Sequence, residues 1–223
     1  MLQGKELIAW RAAQELEDGD VVNLGIGLPT LLPNYLPAGI EITLQSESGF
    51  LGMGPLIGEP LRNLFSAGGT PCGIVPGGCY LDGAMTFAIM RGGHVDLTVL
   101  GSLQVDQERN LASWMVPGKL VPGMGGAMDL VVGARKVIVT MEHLTKEGEP
   151  RILKRCTMPL TAAAKVGAIV TELAFFRFID GVLTLMETAP GISVQQIRAK
   201  TEADFAVSPD CHEMRVPVAA AVQ

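Results

Sequence analysis

Val21-Val22-Asn23-Leu24-Gly25-Ile26-Gly27-Leu28-Pro29-Thr30 carries the reading of the fold. Val21 to Leu24 is a short, mostly apolar run of strand length. Gly25 and Gly27 punctuate it. Leu28-Pro29-Thr30 then opens a helix, with Pro29 in the first turn, where its missing N–H leaves no bond unmade. A buried strand that passes through a glycine turn into a helix is the building unit of an α/β sheet.

Upstream, Leu7, Ile8, Ala12 and Leu16 recur at helical spacing over residues 3–17, and Asp18-Gly19-Asp20 stops the helix. Downstream, Pro37-Ala38-Gly39 ends the second helix and Glu41 to Gln45 reads as the second strand. Ser46 to Pro55, with Gly49, Gly52 and Gly54, predicts a loop of unusual shape. Cys72 to Val75 reads as a strand, and Asp82 caps a helix from Gly83 to Met90 that Gly92-Gly93 closes. Val95 to Leu100 and Lys136 to Met141 are further strands. Between them, residues 106–126 form a polar, glycine-rich passage with Pro117 and Pro122. Ala162 to Leu173 reads as helix or mixed structure. Phe175 to Ile179 and Val182 to Glu187 flank Asp180-Gly181, a strong hairpin signal. Ser193 caps a last helix to Lys200, and residues 208–223 read as a tail.

These elements predict one α/β domain over residues 1–207 and a C-terminal tail over 208–223. Short strands apolar on both sides, alternating with helices, imply a mostly parallel sheet with helices on both faces. The Asp180-Gly181 hairpin adds one antiparallel edge.

Composition supports a large core and excludes several functions. Glycine supplies 27 of 223 residues and charged residues 18 %, against averages near 7 % and 25 %. The net charge is −6 with no basic block, which argues against a nucleic-acid partner. No window approaches a membrane span, and residues near the N-terminus do not read as a secretory signal. Four scattered cysteines (Cys72, Cys79, Cys156, Cys211) read as reduced thiols of a cytoplasmic protein. The spacing of Cys72 and Cys79 fits no zinc site, so no metal is expected. There is no His-Glu-x-x-His, no Gly-x-Ser-x-Gly and no phosphate loop ending in Gly-Lys-Ser/Thr.

Glu47 is the candidate for chemistry. It follows an apolar strand in Leu44-Gln45-Ser46-Glu47-Ser48-Gly49-Phe50-Leu51-Gly52, with no lysine or arginine close by in sequence. Residues just past the carboxyl end of a parallel strand face the ligand crevice. One reading makes Glu47 a solvated loop residue or the partner of a distant arginine. The other makes it a covalent nucleophile toward activated acyl groups.

The stretch Gln45-Ser46-Glu47-Ser48-Gly49-Phe50-Leu51-Gly52 resembles the glutamate signature of the 3-oxoacid (acetoacetate-type) coenzyme A-transferase family. Asn23-Leu24-Gly25-Ile26-Gly27-Leu28-Pro29-Thr30, Met90-Arg91-Gly92-Gly93-His94, Pro117-Gly118-Lys119, Gly123-Met124-Gly125-Gly126-Ala127-Met128-Asp129-Leu130 and Cys156-Thr157-Met158-Pro159-Leu160-Thr161 are similar to the family's beta subunit. The resemblance spans residues 5–207. In the family an asparagine usually follows the glutamate, where this chain has Ser48; a serine offers one hydroxyl in place of an amide.

The resemblance implies a three-layer fold and a ping-pong transfer of coenzyme A between an acyl-CoA, such as succinyl-, acetyl- or butyryl-CoA, and acetoacetate. Glu47 would be acylated and then carry coenzyme A as a thioester. No cofactor is implied, coenzyme A being a substrate and covalent adduct. Gly125 and Gly126 would offer N–H groups to an oxyanion or to coenzyme A, or they form a plain glycine turn before a helix. Gly25, Gly27, Ser48 and Gly49 would border the substrate; Gly25 and Gly27 also suit a packing turn. The alpha subunit's Gly-Gly-Phe-Gly signature is absent, so the resemblance implies an alpha-subunit partner in an alpha2beta2 assembly. A 3-oxoadipate coenzyme A-transferase and a non-catalytic acyl-ligand sensor of the same fold stand as alternatives.

Overall fold

The computed structural model describes residues 2–56, 58–59, 63–119, 121 and 123–217. The helices are α1 (Gly4–Ala13), α2 (Gly83–Arg91), α3 (Ala127–Gly133) and α4 (Val194–Lys200), with a 3-10 helix over Leu28–Tyr35. The first eight strands are β1 (Val21–Leu24), β2 (Thr43–Ser46), β3 (Phe50–Gly54), β4 (Gly73–Tyr80), β5 (Leu97–Gly101), β6 (Gln104–Asp106), β7 (Leu111–Ala112) and β8 (Lys136–Thr140). They are followed by β9 (Ile152–Leu153), β10 (Ala168–Val170), β11 (Ala174–Ile179), β12 (Val182–Thr188) and β13 (Ala206–Glu213).

β1 lies inside a ten-stranded sheet of order β13-β12-β11-β10-β8-β5-β1-β2-β3-β4. Its neighbours β2 and β5 both run parallel to it, and β8 and β10 continue the parallel block. Side chains alternate across this block. Leu97 and Val99 pack with Leu7, Ile8, Ala12 and Leu32 on the face of α1 and the 3-10 helix. Leu100, Val137 and Val139 pack with Met90, Leu130 and Val131 on the face of α2 and α3. Helices therefore cover both faces, giving three layers, as expected of short strands apolar on both sides. A separate small sheet, β7-β6-β9, lies beside this body.

The Asp180-Gly181 hairpin forms between β11 and β12, with Asp180 and Gly181 both at positive φ. It sits one strand in from the edge, because β13 pairs parallel to β12. Asp82 and Ser193 cap α2 and α4 as expected, Ser193 within a full capping box.

Several expectations are corrected. The first helix ends at Ala13, and hydrogen-bonded turns carry the chain to Leu16. The helix after Pro29 is 3-10, with Pro33 inside it, because a proline cannot donate to the α-helical ladder. The supposed loop Ser46 to Pro55 is only a three-residue turn, and Phe50 to Gly54 is β3. There Gly52 lets two backbones approach: a Cβ on it would lie 2.8 Å from Gly78 Cα. Ala162 to Leu173 contains no helix; its end is β10, which buries Ala168, Ile169 and Val170 against β8 and β11. Residues 208–213, expected to begin a tail, belong to β13, with Thr188 opposite Glu213. Pro122 and residues 218–223 lie outside the described residues.

His143 is sealed in this core at 0 % exposure. Its Nδ1 is 3.0 Å from Thr171 Oγ1 and its Nε2 2.9 Å from Thr201 Oγ1. The Thr201 hydroxyl donates to Ile197 O at 2.8 Å. Thr201 therefore accepts from Nε2–H, and the Thr171 hydroxyl, which also lies 3.2 Å from Ala174 O, is the partner of Nδ1, so both ring nitrogens have a neutral partner. Burial, with Lys200 adding to it, holds the His143 pKa down at about 4. The unfolded chain binds a proton near pH 6.5 that the folded chain refuses, so stability falls as pH drops from about 6.5 toward about 4. Urea unfolding is expected to lose about 2 kcal/mol through this residue between about pH 7.5 and about pH 5. His143→Gln removes that share of the pH slope. An unchanged slope in the variant would show that another group carries it.

Candidate active site

β1 and β2 end side by side, so the segments that leave them meet at the carboxyl end of the parallel block. Glu47 occupies the turn from β2 into β3, closed by Gly49 N donating to Ser46 O at 3.0 Å. Gly49 has φ +103, and a Cβ there would meet Leu81 O at 2.5 Å, so only glycine fits. The turn holds Glu47 half-buried at the rim of the sheet.

Three elements converge on this carboxylate. Asn23 of β1, almost fully buried, donates through Nδ2 to Gln45 Oε1 at 2.8 Å, Gln45 O at 3.1 Å and Glu47 Oε2 at 3.3 Å. Gln45 Nε2 donates to Thr86 Oγ1 of α2 at 2.9 Å, and that hydroxyl donates to Ser46 O at 3.1 Å. Gly126, the residue before α3, lies against the carboxylate's stem: a Cβ on it would sit 3.5 Å from Glu47 Cβ and Cγ. No ion pair to Glu47 occurs among the described residues. Among the described residues, no arginine takes the place considered as its partner. Among the described residues, one neutral donor, Asn23 Nδ2, holds Glu47, and its second oxygen accepts no hydrogen bond. Asn23 Oδ1 is buried with no partner among the described residues.

The glycines divide into distinct positions. Gly126 is brought to Glu47. Gly125, at φ +53, has open space where a side chain would be, and neither N–H donates to an acceptor among the described residues. Gly25 donates to Val99 O at 2.8 Å and is crowded by Leu100, which makes it a packing position at the same end of the sheet. Gly27, at φ +89, precedes the 3-10 helix and borders a cavity of about 470 Å3 with Ile26, Leu44, Met53 and Cys72. Ser48 is exposed, and its hydroxyl lies 2.8 Å from Ser46 Oγ, not on the carboxylate.

Sequence reasoning about single sites passed over Asn23, Gln45 and Thr86 as a polar set. Their signal was a polar residue inside an otherwise apolar strand, at Asn23 and again at Gln45, where burial demands a hydrogen-bond partner. Thiol chemistry is not poised at Cys156, whose pKa burial and the Asp106 carboxylate push up to about 12. Among the described residues no cluster fits a metal ion, and no helix is long and apolar enough to cross a membrane.

Sequence comparison with known proteins agrees on one family. The coenzyme A transferase family model matches residues 5–200. A relative from Escherichia coli (strain K12), named as the beta subunit of acetate CoA-transferase, is 61 % identical over 214 residues, covering 96 % of this chain and 99 % of its own length. A relative from Bacillus subtilis (strain 168), named as one subunit of a probable succinyl-CoA:3-ketoacid coenzyme A transferase, is 48 % identical over 93 % of this chain and 97 % of its own. Among solved structures, an acyl-CoA transferase apoenzyme from Escherichia coli O157:H7 superposes with a TM-score of 0.80 at 23 % identity. It covers all of this chain, which spans 45 % of that one. At that identity the likeness concerns the fold.

Proposed function

Since the chain belongs to the coenzyme A transferase family, we propose that it is the beta subunit of a heteromeric enzyme and carries the glutamate that accepts coenzyme A. The observation that supports this reading is Glu47 itself: a carboxylate with no ion-pair partner among the described residues, at the carboxyl end of a parallel strand, oriented by Asn23 and backed by Gly126.

The chemistry follows from that placement. The Glu47 carboxylate attacks the thioester carbonyl of an acyl-CoA, the C–S bond breaks, and an acyl-glutamyl anhydride and coenzyme A thiolate result. The thiolate attacks the glutamyl carbonyl and expels the free acid, leaving a glutamyl-CoA thioester. A second carboxylate attacks that thioester and releases the thiolate, which then attacks the acyl carbonyl of the new anhydride and regenerates Glu47. Each step passes through a tetrahedral oxyanion. In this reading the open N–H groups at Gly125 and Gly126 face it, each such donor contributing about 3 kcal/mol. No cofactor enters the cycle.

The substrates proposed are a short acyl-CoA and a 3-oxoacid such as acetoacetate. Acetate is placed first among the simple acids, because the 61 % identical relative is named for it, and the 48 % identical relative is named for a 3-ketoacid. We place the enzyme in the cytoplasm, where unpaired thiols stay reduced. Pairing this chain with an alpha subunit and incubating the pair with acetyl-CoA tests the reading. The expected result is a coenzyme A-sized mass gain on the peptide containing Glu47, discharged by acetoacetate faster than by 3-oxoadipate. No adduct, and no transfer among acetate, butyrate, succinate and acetoacetate, would refute it and favour a ligand-binding role.

A further inference from the structure

A second cavity, of about 390 Å3, lies at the other end of the sheet. Lys136 and Val137, which begin β8, and Gly167 and Ala168, at the start of β10, line it. β1, β2, β5, β8 and β10 all run the same way. Glu47 follows the carboxyl end of β2, so the cavity and the Glu47 turn are separated by the length of the strands, about 16 Å for five residues. The two sites are distinct.

The charge of this cavity opposes that of the chain. Arg109, Arg135, Lys136, Lys165 and Arg177 line it, against Glu15 and Glu17, in a protein of net charge −6. Lys136 pairs with Glu17, Arg135 with Asp96 and Arg177 with Glu15. Glu15 is shared further with the buried Arg11. Arg109 and Lys165 have no carboxylate partner among the described residues, so two positive charges remain over.

The backbone holds these two side by side. Arg109 O accepts from both Lys165 N and Val166 N at 3.1 Å. Arg109 Nε donates to Val166 O at 2.9 Å, which fixes the guanidinium and leaves its two terminal nitrogens available. Arg109 itself is at φ +68 and Ala164 at φ +55, conformations that non-glycine residues seldom take. The Arg109 guanidinium also lies 6.0 Å from the centre of the Phe178 ring, which lines the same cavity. A fixed guanidinium beside a lysine suits a phosphate group, for charge and for its planar fork of donors.

We propose that this cavity is a binding site for a small phosphate-bearing anion, with Arg109 and Lys165 as its charge-bearing residues, remote from the Glu47 turn. The inference does not depend on the acyl-transfer reading.

Calorimetric titration of the full chain with inorganic pyrophosphate, and in parallel with adenosine diphosphate, tests it. Saturable binding of pyrophosphate is expected, weakened about tenfold by Lys165→Ala and about as much by Arg109→Asn, an exchange that tolerates the left-handed backbone. Glu47→Ala should bind as the parent does. Lys165 is exposed, so its variant keeps the test open if Arg109→Asn folds poorly. Tighter binding of adenosine diphosphate would assign the phosphate to a nucleotide that uses the Phe178 face, and equal or weaker binding to free phosphate. Absence of saturable binding, or equal affinity in parent and Lys165→Ala, would overturn the proposal.

Discussion

Glu47→Gln is expected to remove coenzyme A transfer by at least about 1000-fold while the protein melts as the parent does. The reason is electronic. An amide has nearly the shape of the carboxylate but no anionic oxygen to attack a thioester. Asn23 Nδ2, which donates to Glu47 Oε2 at 3.3 Å, can donate equally to the amide oxygen, so the turn survives. Neighbouring supports are untouched, since Gly49 and Ser46 close the turn through the backbone. The measurement is transfer rate and melting temperature on freshly prepared protein, with intact mass checked to exclude deamidation. Activity within about tenfold of the parent would sink the covalent assignment. Glu47→Ala should be equally inactive.

The second large effect concerns the chain by itself. Purified without its alpha partner it is expected to show negligible transfer, and addition of that partner to restore the rate. The site is one-sided: Asn23 and Gly126 touch Glu47, Gln45 and Thr86 brace Asn23 and the strand beside it, and Glu47 itself stays half-buried. Apolar side chains on the same segments are uncovered. Ile26 follows β1 at 67 % exposure, Met85 lies in the first turn of α2 at 53 %, and Met128 in that of α3 at 50 %. Tyr80, at 55 %, ends the edge strand β4. Such a surface excludes water only when a partner covers it, and oriented donors act strongly only in a water-excluded site. The experiment records solution mass and transfer rate with and without the partner. Self-association of the lone chain fits the same exposed surface. Full activity from a homogeneous single-chain preparation would mean that the whole active site lies within these 223 residues.

Much of the fold was legible from local signals. Val21 to Leu24 is a strand because it is short and apolar, and the glycines that follow end it. Asp82 and Ser193 mark helix starts because a side-chain oxygen there satisfies an N–H that the helix leaves open. Asp180-Gly181 marks its hairpin because both residues take positive φ. Glu47 also stood out in sequence, as a lone carboxylate after an apolar strand. These features depend on neighbours within a few residues, which is why the chain order alone reveals them.

Where partners are distant in sequence, only the tertiary structure decided. Phe50 to Gly54 looks like loop because of its glycines, yet pairing with Gly73 to Tyr80 makes it a strand, and the glycines permit close backbone approach. Residues 208–213 look like tail, yet the unpaired edge of β12 recruits them into β13. Ala162 to Leu173 has no strand periodicity of its own; burial of Ala168 to Val170 between β8 and β11 sets its form. At the site the sequence supplied the carboxylate, but the hand that holds it, Asn23 from 24 residues upstream and Gly126 from beyond α2, is assembled by the order of strands in the sheet. Hydrogen-bond satisfaction of a buried side chain is a property of its surroundings in space, so no local pattern could disclose which acceptor Asn23 would find.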